Sequence, residues 1–237
     1  MLRGLLTLAT VVVATLVFGT ATVVFGLVAP RANAGNRMTR MWSRVILAVA
    51  GIRPSYEGLE HAAGTAPRIF LANHLSSVDI WVVAIPLPDT CRFVAKRSLF
   101  WIPFLGQAMW VAGFIPIDRG DRSQAIASLA RAAARIRAGA SVILFPEGTR
   151  SRTGKLAAFK KGAFHLALEV KVPVVPIAIS GTFELFKPRS IVVRPGRVRV
   201  RFFPPIEPAR HGPEGLAPLM DDVRRTIASG LRPDEVA

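Results

Sequence analysis

The sequence predicts an α/β protein: a mixed sheet flanked by helices, with an apolar anchoring helix at the N-terminus. Three observations carry this. Short apolar runs at 68–71, 92–95, 114–117, 141–145 and 174–179 have strand length and are bounded by Pro, Gly or small polar residues. Helical patterns separate most of them, which is the alternation of an α/β fold. Residues 4–29 carry no ionisable side chain, and such a stretch matches the roughly 20 apolar residues a helix needs to cross a bilayer core.

Taken in order, the apolar N-terminus comes first. Arg3 alone precedes it, whereas Arg31, Arg37, Arg40, Arg44 and Arg53 follow it before the first acid, Glu57. The positive-inside tendency then places the globular part on the cytoplasmic side of the inner membrane. A cleaved signal peptide is the alternative, because "RANAG" offers small residues at Ala32 and Ala34. The apolar run is longer than the 7–15 residues of a signal-peptide core, which favours an anchor. Residues 41–52, "MWSRVILAVAGI", are too short to span and read either as a helix in the headgroup region or as a core helix.

"GIRPSYEG" reads as a Pro- and Gly-punctuated linker. The clearest helix runs over 123–137, where Ile126, Leu129, Ala133 and Ile136 step by three and four while Arg131, Arg135 and Arg137 take other faces. "VVRPGRVRVRFF" alternates apolar and basic residues about a Pro-Gly turn and reads as a hairpin with one wet side. A last helix over 216–229 reads as a peripheral cover. The chain thus divides into a membrane-associated helical segment (1–53), a catalytic-sized domain (54–210) and a C-terminal peripheral helix (211–237).

Composition narrows the partners. Hydrophobic residues make up 51% of the 237, mean hydropathy is +0.39, and 31 Lys and Arg against 15 Asp and Glu give a formal charge of +16. Such a surface attracts polyanions: nucleic acid, anionic lipid or an acidic carrier protein. The basic residues are scattered among apolar strands without a recognition motif, which argues against nucleic acid. Cys91, the single cysteine, excludes an intramolecular disulfide and sits in "TCRFVAK" as a small strand hydrophobe. No Cys/His spacing suggests a metal.

Chemistry concentrates in "LANHLSSVDIWVV", residues 71–83. Residues five apart in a helix differ by about 140° in direction, so His74 and Asp79 meet only if His74 precedes the helix that holds Asp79. Ser76 and Ser77 are suitable N-caps for that helix. Asp79 then either orients the imidazole for proton abstraction or only completes a capping box with Ser76. A second polar loop, "LFPEGTRSRTGKLAAFKKG" (144–162), follows an apolar strand, at the sheet edge where α/β folds place ligands. Gly148 permits close backbone approach, Arg150 offers a planar fork for phosphate, Glu147 is placed to hold that arginine, and Lys160 and Lys161 open the next helix. Arg119, ending "GFIPIDR", is a further phosphate candidate. The aromatic-rich stretch before it reads as core, membrane-facing patch or acyl-channel wall.

"NHLSSVD", "GFIPIDR", "FPEGTRS" and "VPVVPIAISG", in this order across 69–181, resemble the glycerolipid acyltransferase family, especially the bacterial 1-acyl-sn-glycerol-3-phosphate acyltransferases. The resemblance implies the glycerolipid acyltransferase fold for 54–210, with His74 as general base and Asp79 as its orienting partner. It places Gly113 in the acceptor-binding region, Arg119, Glu147, Gly148, Thr149 and Arg150 at the acceptor phosphate, with Lys96 and Lys160 beside them, and Pro173 and Pro176 at the acyl site. It implies transfer of a fatty acyl group from an acyl thioester, acyl-CoA or acyl-ACP as co-substrate, to the sn-2 hydroxyl of lysophosphatidic acid, giving phosphatidic acid for phospholipid biosynthesis. No cofactor or metal is expected; the partners are both substrates, the bilayer and an acyl carrier protein. Another lysophospholipid or a lyso-ornithine lipid as acceptor stays open, as does a membrane-tethered polyanion-binding module.

Overall fold

Strands buried on both faces read as unbroken apolar runs, and the computed structural model places three such strands at the centre of one sheet. It describes residues 2–28, 34–118, 120–212 and 215–236, the side chains of Ala34 and Arg122 excepted. Every residue of β2 (Ile69–Ala72), β5 (Ser141–Leu144) and β6 (Val174–Ser180) is buried. With β1 (Ile52–Glu57), β3 (Cys91–Lys96), β4 (Ile115–Ile117) and β7 (Gly196–Phe202) they form a seven-stranded sheet in the order β1-β7-β6-β2-β5-β3-β4. β7 is antiparallel to β6 and parallel to β1, and the remaining pairings are parallel.

Two local readings are corrected. The 51–58 stretch is not a linker but the edge strand β1, where a proline is tolerated because one side of the strand has no ladder partner. The sheet therefore begins at Ile52, inside the segment assigned to the membrane. The basic alternation forms one strand, not a hairpin: only Gly196–Phe202 is extended, with Val198, Val200 and Phe202 buried and the intervening arginines exposed. Its neighbours are β6, which ends at Ser180, and the distant β1, so neither is joined to it through the Pro-Gly turn and the local signal is misleading here.

Helices cover both faces. α1 (Leu2–Val28), α2 (Ala34–Ala50), α3 (Val78–Ala84) and α4 (Leu105–Val111) lie on one; α5 (Arg122–Arg137), α6 (Gly162–Val170) and α8 (Leu216–Ser229) lie on the other. The short α7 (Thr182–Leu185) follows β6. Asp121 caps α5 by accepting from the amides of Ser123 and Gln124. Ile46, Leu47 and Ala50 of α2 are buried, which makes the 41–52 patch a core helix. α8 is more than a cover, since Leu219, Val223 and Ile227 are fully buried against α6 and the sheet.

α1 is long and apolar enough to cross a membrane, but its two sides differ in size. Gly4, Thr7, Ala14, Gly19 and Thr22 face the protein, whereas Leu5, Val12, Val13, Val17 and Val24 are exposed. Small residues let helix backbones approach closely. The hydroxyls of Thr7, Thr15 and Thr22 return to carbonyls one turn earlier, so the packed face keeps no unsatisfied oxygen. Arg31 and Ala32, of the arginine flank and the "RANAG" site, lie outside the described residues.

Candidate active site

β2 and β5 are parallel neighbours, so the loops leaving their carboxyl ends face each other. After β2, the Asn73 amide exchanges two hydrogen bonds with the Ile179 backbone (Nδ2 to O, 2.8 Å; Oδ1 from N, 2.7 Å) and ties the strand end to β6. His74 is the next residue. Its N–H donates to Glu147 Oε1 at 2.6 Å and its carbonyl accepts from Ser151 N–H at 2.8 Å, so the second polar loop grips it from both sides. The ring stacks on Phe145 with centroids 4.1 Å apart.

Nδ1 of His74 lies 2.8 Å from Asp79 Oδ2. Asp79 is wholly buried and also accepts from Leu75 N–H (2.7 Å), Ser76 N–H (2.8 Å) and the Thr182 hydroxyl (2.5 Å, on Oδ1). The carboxylate thus meets the ring and also satisfies backbone donors, because α3 starts at Val78 and leaves His74 in the preceding loop. The capping box with Ser76 does not form: the N-cap is Ser77, without a side-chain cap bond, and the Ser76 hydroxyl donates to the Phe186 carbonyl. A carboxylate only accepts, so Nδ1 carries the ring proton and Nε2 is left as the basic nitrogen.

Glu147 does not hold Arg150. Its carboxyl is buried and accepts from the His74 and Ala157 amides (Oε2 to Ala157 N, 3.0 Å). Arg150 instead donates to Ser77 Oγ at 2.5 Å. Burial pushes the Glu147 carboxyl up from about 4.5 to about 7 against the two amides, which lower it. The folded value exceeds the unfolded one, so the contribution to stability is complete below about pH 4.5 and is lost as pH rises through about 7. Glu147→Gln cannot ionise. Relative to the parent, its unfolding free energy is expected to rise between pH 5 and pH 8, by on the order of 3 kcal/mol. Chemical denaturation across that range measures this, and a difference that is flat with pH would contradict it.

His74 lines a cavity of about 540 Å³, within the usual range for small-molecule sites. Phe93, Phe114 and Phe145 form its sheet side, Leu105, Ala108 and Met109 its α4 side, and Thr15, Phe18, Gly19 and Thr22 of α1 close it. Lys96, Thr149 and Arg150 join His74 and Ser77 in the wall. The other expected residues are elsewhere. Glu147 holds the His74 main chain rather than the cavity wall, and Lys160 lies over Gly148, whose φ is +74° and where an added Cβ would meet the lysine Cε at 2.9 Å. Gly113 turns the chain into β4 against the Arg92 side chain, in a separate recess with Trp110 and Arg131.

Pro173 and Pro176 do not line the cavity. Pro173 O accepts from Ile69 N–H, and Pro176 sits within β6 with its carbonyl accepting from Phe203 N–H, so both support the sheet. Arg119 lies outside the described residues. Asn73, Thr182 and the α1 wall escaped sequence reasoning. Asn73 was visible beside His74, whereas nothing local links residue 182 to residue 79.

The sequence model of the Acyltransferase family matches residues 53–180, more than half of the chain. The chain belongs to the acyltransferase family. Within it, the chain is 37% identical to mouse 1-acyl-sn-glycerol-3-phosphate acyltransferase alpha over 77% of its own length and 65% of that protein's, and 36% identical to the 1-acyl-sn-glycerol-3-phosphate acyltransferase of Cocos nucifera over 75% and 57%. It thus spans about two thirds or less of these relatives. The crystal structure of the 1-acyl-sn-glycerophosphate (LPA) acyltransferase PlsC from Thermotoga maritima superimposes with a TM-score of 0.82 at 26% identity, covering 97% of this chain and 95% of that one. The family's mixed sheet flanked by helices is the fold expected from the sequence.

Proposed function

We propose that this acyltransferase-family chain acylates the sn-2 hydroxyl of lysophosphatidic acid from an acyl thioester, carried by coenzyme A or acyl carrier protein. The observation that carries the reading is the His74–Asp79 pair at the wall of an apolar cavity that also holds the exposed cations Lys96 and Arg150. The cavity suits an acyl chain, the cations suit a phosphate, and His74 lies between these chemistries as the base. Nε2 takes the hydroxyl proton while the oxygen attacks the thioester carbonyl. The C–S bond then breaks and the thiolate leaves with the proton from the imidazolium, which Asp79 stabilises. Lysophosphatidic acid is also the acceptor in the name of the Thermotoga protein.

Purified full-length chain with lysophosphatidic acid and a range of acyl-CoA and acyl-ACP thioesters is expected to release free thiol and form phosphatidic acid. No release with any donor would overturn the reaction, and preference for a phosphate-free acceptor would overturn the roles of Lys96 and Arg150.

Both substrates are lipids, and the apolar surface supports action at a membrane. α1 is docked along its length: Gly4 lies against Ile191, Ala14 in the core, Gly19 against Phe104 and Gly26 against Val111. Its exposed face continues into Trp101 (79% exposed), Phe104, Trp110 and Val111. Contiguous apolar surface of this kind marks an interaction site. Trp101→Ser with Trp110→Ser is expected to weaken binding to phospholipid vesicles about tenfold or more, since burying each indole is worth more than about 1 kcal/mol. Turnover of detergent-dispersed substrate should change little. Unchanged vesicle sedimentation would exclude this ledge from the membrane contact.

A further inference from the structure

We infer that Glu235, in the C-terminal turn, is a positioning residue for the His74–Asp79 pair, an inference that rests on the proposed acyl transfer. Glu235 sits about 160 residues along the chain from that pair, yet only 2% of its surface is exposed. Its carboxylate accepts from the Ser180 hydroxyl and, at 2.7 Å, from the Gly181 amide, while Arg232 pairs with it at 2.9 Å. Gly181 has φ +95° and immediately precedes Thr182, the donor to Asp79 Oδ1. One buried carboxylate therefore fixes the turn whose next residue holds the other buried carboxylate.

The same residue reaches the second loop through its backbone. Glu235 O accepts from Leu156 N–H at 2.8 Å. The next amide, Ala157, donates to Glu147, and Glu147 holds the His74 N–H. The C-terminal turn thus braces both supports of the dyad, one through Thr182 and one through Glu147, without touching the cavity. A buried carboxylate is costly unless it is paired and hydrogen-bonded. Here every bond it makes, apart from those to its own turn, goes to residues 180 and 181. Simple closure of the C-terminus would need no ionisable group, because Leu219, Val223 and Ile227 already dock α8.

The test is a double-mutant cycle with Glu235→Ala and Thr182→Val in the full-length chain. Each single variant is expected to lower kcat about tenfold with KM for either substrate within about twofold, and the double variant to be no slower than the worse single variant. Losses that multiply, or that fall on KM, would overturn the relay through Thr182. Should the alanine variant fail to accumulate, Glu235→Gln keeps the volume and one acceptor, and a threefold loss with the same non-additivity is expected. A readout without substrate separates this idea from the proposed reaction: the low-field Nδ1 proton resonance of His74, expected in the parent and shifted or broadened in the Glu235 variants. An unchanged resonance would count against the relay even if lysophosphatidic acid proved the wrong acceptor.

Discussion

His74→Ala is expected to lower kcat about 10³-fold while leaving the fold and KM nearly unchanged. The size follows from general-base catalysis, which typically contributes about 10²- to 10⁴-fold, and from a site that offers no second imidazole: the other histidines, His61, His165 and His211, do not line the cavity. Removing the ring vacates space against Phe145 but leaves the backbone anchors intact, since Glu147 and Ser151 hold the main chain rather than the side chain. Circular dichroism and steady-state kinetics on purified variant and parent check both halves. Activity within tenfold of the parent would remove His74 from the chemistry and return it to a packing role.

Asp79→Ala is expected to do more damage to the protein and similar damage to the reaction. Four donors converge on this carboxylate: the His74 ring, the Leu75 and Ser76 amides and the Thr182 hydroxyl. All lose their acceptor in a buried setting, and removing one partner of a buried network costs on the order of 3–5 kcal/mol. Asp79→Asn preserves the volume but places an amide donor among donors, so the ring tautomer reverses and kcat falls about 10²-fold or more. Groups that act as one unit are non-additive. His74→Ala with Asp79→Asn should therefore be no slower than His74→Ala alone. Denaturant midpoints report the first effect and kcat the second.

The legible parts of this molecule are those encoded by neighbours in sequence. Apolar runs of strand length located β2, β3, β4, β5 and β6 to within a residue or two; in β2, β5 and β6 burial on both faces leaves little freedom in composition. α5 showed in the stepping of its apolar residues. The spacing of His74 and Asp79 said only that the two meet if His74 lies in the loop before the helix; the pairing itself was read from the resemblance of "NHLSSVD" to the acyltransferase family. β1 was misread because its partner β7 lies well over a hundred residues away, and β7 because its antiparallel partner is β6, beyond α7, rather than a strand joined to it through the Pro-Gly turn.

The same limit explains the site's misplaced members. Glu147 and Arg150 are three residues apart and invite pairing, but Glu147 is turned inward to the amides of His74 and Ala157, leaving Arg150 to Ser77. Pro173 and Pro176 do not line the cavity, and their carbonyls accept from the Ile69 and Phe203 amides. The α1 wall was hidden for another reason: its inward face is marked by small side chains, not by polarity, so an anchor and a cavity wall look alike in composition.

A structure of the chain with lysophosphatidic acid and a non-hydrolysable acyl thioester tests the proposed base most directly. The sn-2 oxygen is expected within about 2.6–3.2 Å of His74 Nε2, with the phosphate toward Lys96 and Arg150 and the acyl chain between α1 and α4. An sn-2 oxygen held by some other base, with the imidazole facing only protein, would contradict it.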